Sequence, residues 1–373
     1  MVMLGRSVCT CGRFKYCEPS QCNGRLQPKK RGAIDRRAGR FGILEPIPYH
    51  ENTLDTVILQ TEVKAITAKS IISTNQSPDI PWSKTVNPYI GCEHGCIYCY
   101  ARPTHAYYNL SPGLDFELKL FVKTNADELL RAEFSKSSYR PTVIGLGTNT
   151  NAYQPIERKF EVTRRLLQVL EEFRHPVSVL TKNSLIKRDI DILQRLAQNN
   201  LVEVHFTLTS LQHELSRVLE PRASLPKARL DTIRRLSEAS IPVKAMFSPV
   251  IPGINDQEME AVMTAARTAG AACMGYILIR LPYEVRGLFF DWLEQHMPQL
   301  KTDVMKRIDE CRTDFSKQFS FETRMTGEGL LAAQLLGQFQ KYVQLLEFRE
   351  INPDDLDHSL FTRRFGSPQL ELF

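Results

Sequence analysis

Three closely spaced cysteines are the residues of this 373-residue chain that are best suited to metal chemistry. Cys92, Cys96 and Cys99 lie in NPYIGCEHGCIYCYARP with the spacing C-x3-C-x2-C. Soft thiolate ligands favour iron–sulfur clusters and zinc. Three thiolates, rather than four, would leave one iron of a cubane cluster with an open position, as in catalytic metal sites. The alternative is a zinc site whose fourth ligand is His94 or His105.

A second set of polar residues follows short apolar runs. These runs are almost continuous in apolar residues, which is typical of buried parallel strands, and they cover residues 142–147, 177–181, 202–208, 243–248 and 276–281. In parallel sheets, ligands bind at the carboxyl ends of the strands. The polar residues that we expect at those ends are Thr148, Asn149, Asn151, Lys182, Thr207 and Thr209.

The elements that position these residues alternate between strands and amphipathic helices. Val162, Leu166 and Val169 recur at helical spacing between two of the runs. With a further strand just before Cys92, the pattern predicts an α/β fold, a partial (β/α)6 barrel with a basic N-terminal arm and a helical C-terminal extension. The predicted boundaries are 1–45 for the arm, 46–84 for a lead-in segment, 85–300 for the core, and 301–373 for the extension, with helices at 302–316 and 327–346 and an irregular tail.

Composition excludes several classes of protein. The chain is 42% hydrophobic and 24% charged, which excludes a wholly disordered protein and a collagen. No run approaches the roughly 18 apolar residues that span a bilayer. Arg6, Arg13 and Lys15 interrupt the start of the chain before a signal-type apolar segment can form. We therefore expect a soluble cytoplasmic protein without a membrane partner, in which clustered cysteines bind metal rather than form disulfides.

The positive charge is concentrated in the N-terminal arm. Residues 1–45 hold ten Lys/Arg and three acids and carry +7, whereas the remainder of the chain carries −1. Such an arm is either a partner for nucleic-acid phosphates or a solvated tail. Its few apolar residues predict disorder. Because the core motifs begin at residue 85, removal of the arm should leave the core intact. Four cysteines in the arm are candidates for zinc, for a second cluster, or for no metal at all: Cys9, Cys11, Cys17 and Cys22.

Five ordered segments carry a resemblance to a known family. NPYIGCEHGCIYCYARPTH, GTNTNAYQPIE, LTKN, LEPR and PVIPGIND resemble the radical S-adenosylmethionine (radical SAM) enzymes, and within them the SplB-like branch related to spore photoproduct lyase. The resemblance covers about residues 85–300. It implies a 4Fe–4S cluster on Cys92, Cys96 and Cys99 whose open iron chelates S-adenosylmethionine (SAM). It also implies that one electron, from a flavodoxin- or ferredoxin-type reductant, cleaves SAM to a 5′-deoxyadenosyl radical that abstracts hydrogen from the substrate.

The resemblance also implies roles in SAM binding. Tyr98 matches the aromatic residue near the cluster and the adenine, the polar stretch Thr148, Asn149 and Asn151 meets the methionine end, Lys182 pairs with the carboxylate, Thr207 supplies a hydroxyl group, Arg222 is a second anion partner, and Ile251 lines the adenine side. Each polar residue also has a structural interpretation. Lys182 and Arg222 could form surface ion pairs, and Thr148 and Thr207 could bond only to backbone.

Two departures from the family pattern affect the expected reaction. Asn151 stands where the family usually has an acid, so a salt bridge to the SAM amino group becomes a neutral hydrogen bond. Spore photoproduct lyase uses a cysteine after its second strand as hydrogen donor, and this chain has no cysteine between Cys99 and Cys273. The substrate stays open between a nucleic acid and a peptide or small metabolite. The alternative function is a non-catalytic iron–sulfur or zinc module that binds nucleic acid.

Overall fold

The computed structural model describes residues 30–41, 59–312, 320–349 and 355–363. Its strands are β1 (Glu62–Ile66), β2 (Ile72–Thr74), β3 (Lys84–Val86), β4 (Tyr89–Ile90), β5 (Lys119–Lys123), β6 (Ile144–Leu146), β7 (Val177–Thr181), β8 (Val202–Thr207), β9 (Val243–Val250) and β10 (Cys273–Leu278). Its α-helices are α1 (Asp115–Leu118), α2 (Ala126–Ser135), α3 (Glu157–Phe160), α4 (Val162–Glu172), α5 (Ile190–Ala197), α6 (His213–Leu219), α7 (Pro226–Glu238), α8 (Met259–Thr268), α9 (Glu284–His296), α10 (Lys301–Glu310) and α11 (Gly329–Leu345).

The main sheet has seven strands in the order β10-β9-β8-β7-β6-β3-β2. Six of them run parallel, and only the edge strand β2 is antiparallel to its neighbour. Helices connect the parallel strands, so the predicted partial (β/α)6 barrel is confirmed. The first barrel strand is β3, whereas β4, immediately before the cysteines, belongs to a separate small sheet in the order β1-β5-β4.

The hydrophobic core lies between the sheet and its helices. Val179, Val204 and Ala245 occupy one face of adjacent strands and pack with helical residues such as Leu166 and Ile233, all fully buried. Each buried Val, Leu or Ile side chain contributes about 1.5–3 kcal/mol through removal from water, which keeps the strands in register. The alternate residues of β7 and β8 face the other side of the sheet. The residues that follow these strands lie at the carboxyl end of the sheet.

Two predicted boundaries differ from the structure. The last strand is β10, at Cys273–Leu278, and not residues 276–281. Ile279 and Leu281 follow it and are buried in a second hydrophobic cluster with α9. Because these buried residues are apolar, the sequence around them resembled a continuing strand. The extension does contain helices, α10 and α11, but α10 ends at Glu310.

The described part of the basic arm is packed against the core, contrary to the expected disorder. Residues 30–41, here called the strap, lie along the barrel, with Gly32 and Ala33 buried. Their backbone N–H groups donate to the carboxylate of Glu117 at 3.0 and 2.9 Å. Polar partners in the core therefore order this segment where its own apolar content could not. Cys9, Cys11, Cys17 and Cys22 lie outside the described residues.

Within the described parts of the chain, no helix combines the length and the apolar character that crossing a membrane requires.

Candidate active site

The three predicted cluster cysteines lie in one loop, residues 91–102, here called the cysteine loop. Backbone hydrogen bonds anchor it, from Cys92 to the carbonyl of Phe116 (2.9 Å) and from Ile97 to the carbonyl of Leu219 (3.1 Å). The side chain of Gln154 accepts from the N–H of Glu93 at 2.9 Å and donates to the carbonyl of Gly91 at 3.1 Å. The second sequence motif therefore holds the first in place.

The cysteine thiols are free and shielded from solvent. Cys92 and Cys96 are buried and Cys99 is partly buried, and none forms a disulfide. Burial raises the pKa of Cys92 to about 12, with smaller contributions from Cys96 and Cys99, while backbone N–H groups of His94 and Asn151 act in the opposite direction. Burial likewise raises the pKa of Cys96 to about 11. Such thiols ionise only when a bound cation compensates the thiolate charge, as a metal does.

This donor set fits an iron–sulfur cluster better than a single zinc ion. In the described residues, no group of three or more His, Cys, Asp or Glu side chains converges as ligands of one ion. Of the two histidines considered for zinc, His94 Nε2 lies 2.9 Å from Asn183 Nδ2 and His105 Nε2 lies 2.9 Å from the carbonyl of Lys119, so Nε2 of each ring is engaged elsewhere. Three thiolates on one loop are a donor set typical of an iron–sulfur cluster with one open iron, and backbone N–H groups that lower the pKa of Cys92 suit a cluster-bound thiolate.

A buried ionic network lies in front of the cysteine loop. Lys182, which follows β7, donates to Glu220 at 2.7 Å and to the hydroxyl of Tyr98 at 2.9 Å. Tyr98 itself donates to Glu220, and Arg229 donates to the other carboxylate oxygen. Thr209, at the end of β8, donates to Glu220 at 3.0 Å. The predicted residues Tyr98 and Lys182 are thus brought together by a carboxylate.

The network carries one net positive charge next to the thiols. Burial by itself would lower the pKa of Lys182, but Cys96, Glu220 and Tyr98 together raise it well above its usual value. Burial would raise the pKa of Glu220, yet Arg229 and Lys182 hold it well below its usual range. Two cations and one carboxylate remain charged, and the excess positive charge can attract an anionic group such as a carboxylate.

The polar stretch after β6 lies beside the cysteine loop. The Asn87 side chain accepts from the N–H of Asn149 at 2.8 Å and donates to Thr148 Oγ1 at 3.4 Å. Asn151 Oδ1 accepts from Thr181 Oγ1 at 2.9 Å, while the backbone N–H of Asn151 is directed at the sulfur of Cys92. Asn151 therefore contacts both the cluster loop and the end of β7.

The remaining predicted residues are placed differently. Arg222 forms an ion pair with Glu93 at 2.9 Å, so its charge is already balanced at the cysteine loop. Thr207 is partly buried at the end of β8, and its carbonyl accepts from Arg229 at 3.4 Å. Ile251 is fully buried in the hydrophobic cluster that includes Cys96 and Tyr98.

Glu220 and Arg229 are the residues of this site that sequence analysis missed. Glu220 lies within the LEPR segment, beside the residue that was singled out. Its other partners are distant in sequence, at Tyr98 and Lys182, and nothing local distinguishes it from a surface glutamate. Asn87 and Gln154 lie within quoted motifs, but their bonds between the motifs appear only in the structure.

Comparison with known sequences agrees with this geometry. The Radical SAM superfamily profile matches residues 86–266. An uncharacterized protein of Mycobacterium tuberculosis (strain ATCC 25618 / H37Rv) is 35% identical over 223 residues, 59% of this chain, and the match spans 66% of the length of that relative. An uncharacterized protein of Methanocaldococcus jannaschii is 31% identical over 263 residues, which are 69% of this chain and 94% of the relative.

Solved structures share the fold. Spore photoproduct lyase complexed with dinucleoside spore photoproduct superposes with a TM-score of 0.51 at 15% identity, covering 76% of this chain and 79% of the lyase. A mutant of that lyase with bound AdoMet and dinucleoside spore photoproduct gives the same TM-score, identity and coverage. The profile match and the relative from Methanocaldococcus jannaschii establish that the chain belongs to the radical SAM superfamily, whose members use a 4Fe–4S cluster and SAM, and the solved structures agree in fold.

Proposed function

We propose that this protein is a radical SAM enzyme that binds its 4Fe–4S cluster through Cys92, Cys96 and Cys99 and acts on a nucleic acid. When bound, the cluster and SAM supply a 5′-deoxyadenosyl radical that abstracts hydrogen. The observation that carries the proposal is the juxtaposition of three free thiols with a buried network of net charge +1. Lys182, whose ammonium group donates to the hydroxyl of Tyr98 in the cysteine loop at 2.9 Å, joins the two parts.

The residues of the chain have separate tasks in this proposal. Lys182 attracts the SAM carboxylate. Glu220 holds the ammonium group of Lys182 in position, since Lys182 Nζ donates to Glu220 Oε1 at 2.7 Å. Asn151 offers a neutral hydrogen bond in place of a charged one. Ile251 packs in one hydrophobic cluster with Tyr98 of the cysteine loop, and this packing excludes water from the thiols. Thr148, Asn149 and Thr207 line the approach at the strand ends, and Arg222 stabilises the loop through Glu93.

The proposed substrate class has two supports. The N-terminal arm holds an excess of seven positive charges. Arg36, Arg37 and Arg40 in the strap pair with carboxylates of the core, and the bases of residues 1–29 suit phosphate contacts. The fold is shared with a lyase whose structure is complexed with a dinucleoside photoproduct. The reaction should differ from that of the lyase in its hydrogen donor, because no cysteine lies between Cys99 and Cys273. A one-electron donor of the flavodoxin or ferredoxin type is the proposed protein partner.

Anaerobic reconstitution tests the proposal. The full chain is incubated with iron and sulfide, its metal content is measured, and SAM and a strong reductant are added. We expect about four irons per chain, as in a cubane cluster, and reductant-dependent release of 5′-deoxyadenosine. Zinc without iron, or a cluster that never cleaves SAM, would instead favour the non-catalytic nucleic-acid-binding module.

A further inference from the structure

Arg280 lies at the mouth of the barrel, beside the cysteine loop. It follows the last parallel strand, β10, at the carboxyl-end edge where ligands of such sheets bind. Its guanidinium carbon is 4.8 Å from the centroid of the Tyr100 ring, and the Tyr100 hydroxyl donates to the carbonyl of Thr148. Arg280 therefore lies between the cysteine loop and the polar stretch after β6, and none of the roles described above uses it.

Two further arginines surround this position. Arg312 donates to the carbonyl of Ile279 at 3.0 Å, and Arg324 forms an ion pair with Asp79 at 2.6 Å. The segment that carries Arg324 runs along the end of β10, since the N–H of Leu278 donates to the carbonyl of Met325 at 2.8 Å. Burial lowers the pKa of Arg280, with Arg324 acting in the same direction and Tyr100 and Asp79 in the opposite direction, while burial and then Arg280 lower the pKa of Arg312 to about 10.

Among the described residues at this edge, the three arginines outnumber the two carboxylates that interact with them, Asp79 and Glu328. Arg324 has a carboxylate partner, and Arg312 bonds to backbone carbonyls. Across the described residues, Arg280 has no carboxylate or hydrogen-bonding partner, and the Tyr100 ring is its close neighbour. A partly buried guanidinium that lies among like charges is unfavourable unless an anion binds to it. The arrangement is that of an anion-binding site in the entrance to the barrel.

Exposed aromatic rings accompany these cations. Tyr100 is 46% exposed beside Arg280, and Phe321 is 45% exposed with the Arg324 guanidinium 4.8 Å from its ring centroid. Alternating cations and exposed rings are the means by which proteins bind single-stranded nucleic acids, with phosphates on the cations and bases stacked on the rings. A carboxylate of a peptide would need the cation but would leave the rings unused, so the rings favour a nucleic acid.

We propose that Arg280 binds a phosphate group of a single-stranded nucleic-acid substrate, with Tyr100 and Phe321 offering stacking surfaces for adjacent bases. The inference rests on the proposed function in that it assigns the substrate of the same site. It moves the substrate-specific phosphate contact from the N-terminal arm to the barrel mouth, where a strand would lie next to the cysteine loop.

The test compares Arg280→Gln with Arg131→Gln in the full reconstituted chain. Arg131 is exposed, pairs with Glu172 on α4, and provides an identical change of charge elsewhere. The probe is a fluorescent single-stranded oligothymidylate, titrated at several salt concentrations. We expect Arg280→Gln to weaken binding about tenfold and to reduce the log–log salt slope by about 0.7, the value for one phosphate contact on a single strand. Arg131→Gln should change neither quantity.

Two further arms separate the phosphate from the rings and from other ligands. Phe321→Ala should weaken binding to the oligothymidylate without changing the salt slope, and it should have no effect on an abasic oligonucleotide. Poly-glutamate should not displace the probe. Unchanged affinity and slope in Arg280→Gln, no binding by the wild-type chain, or displacement by poly-glutamate would each overturn the inference. Thermal melting of each variant confirms that folded proteins are compared.

The result of the oligonucleotide-binding test does not depend on whether the protein cleaves SAM. Release of 5′-deoxyadenosine by the wild-type chain without oligonucleotide is measured in parallel. If the wild-type chain binds the probe through Arg280 but never cleaves SAM, the proposed enzymatic function fails and the phosphate site stands. If SAM is cleaved but binding is indifferent to Arg280, the phosphate site fails and the enzymatic function stands.

Discussion

Two buried carboxylates lie on opposite sides of the cysteine loop and differ in what they hold. Behind the loop, Glu117 pairs with Arg102 at 2.6 Å and accepts the N–H groups of Gly32 and Ala33 in the strap. In front of it, Glu220 binds Lys182 and the Tyr98 hydroxyl. Both carboxylates are fully shielded from solvent, so burial alone does not distinguish a structural acid from one at a ligand site.

The partners make the distinction. Those of Glu117 are backbone groups and one arginine that also donates to the carbonyls of Cys96 and Gly113, so all of them are fixed by the fold. Those of Glu220 include a lysine at a strand end, whose flexible side chain can shift toward a ligand, and a second cation in Arg229. We infer that Glu117 stabilises the loop, whereas Glu220 positions cations for an anionic group.

The largest expected effect comes from removing the strap. Deleting residues 1–41 takes away two charge-assisted N–H bonds to Glu117 and the bonds from Arg31 to Thr61 and the Glu117 carbonyl, and should reduce the free energy of unfolding by about 5 kcal/mol. Deleting residues 1–29 keeps these bonds and serves as the control in chemical denaturation. We therefore expect the loss of the strap to lower stability even though the barrel motifs begin at residue 85, and equal stability of the two truncations would contradict this expectation.

A point substitution addresses the same contact. A Cβ atom on Gly32 would lie 1.8 Å from the carbonyl oxygen of Gly95, where only backbone can move aside. Gly32→Ala should therefore displace the strap and act in the direction of the 1–41 deletion. Gly337→Ala, on α11 with nothing within 4 Å of the added atom, is the matched control. Denaturant midpoints of the two variants give the comparison.

The response to SAM distinguishes the roles of the two carboxylates, Glu117 and Glu220. Glu117→Gln leaves Arg102 buried without a charged partner and should reduce the free energy of unfolding by about 3 kcal/mol. Glu220→Gln should also destabilise, because Lys182 and Arg229 lose their common partner, and Lys182 then lacks the carboxylate that positions its ammonium group. SAM should therefore raise the melting temperature of reconstituted Glu220→Gln by less than that of Glu117→Gln. Equal shifts would remove the distinction between the two regions.

The smallest expected effect concerns one ligand contact. Lys182→Ala should weaken SAM binding about ten- to a hundredfold, as for loss of one charged hydrogen bond worth about 1.5–3 kcal/mol. Iron content should change little, since Lys182 contacts no cysteine sulfur through a hydrogen bond in the described structure. Isothermal titration measures the affinity. Wild-type affinity would show that Lys182 only neutralises Glu220.

Patterns within the sequence predicted the barrel well. The run at residues 177–181 coincides with β7, and that at 202–208 exceeds β8 by one residue, because near-continuous apolar residues between helices have few other interpretations. The cysteine spacing likewise located the loop. Local composition was sufficient where each element carries its own signal.

Contacts between distant residues could not be predicted in this way. The strap is polar and basic, and it is ordered by distant partners such as Glu117, which lies some 85 residues later and accepts its backbone N–H groups. Glu220 pairs with Tyr98, 122 residues earlier, and a glutamate in a helix-flanking turn resembles any solvated acid. In both cases the contact depends on two residues that are distant in sequence, and the sequence around either residue alone does not predict it.

Comparison of Cys96→Ala with Cys273→Ala after anaerobic reconstitution tests whether the cysteine loop binds the catalytic cluster. Cys273 is also a buried free thiol, on β10, and so controls for loss of a sulfur from the core. We expect Cys96→Ala to remain folded, because the sheet has its own apolar core, but to release no 5′-deoxyadenosine. Cys273→Ala should cleave SAM like the wild-type chain. Undiminished 5′-deoxyadenosine release by Cys96→Ala would contradict the assignment of the cluster to this loop.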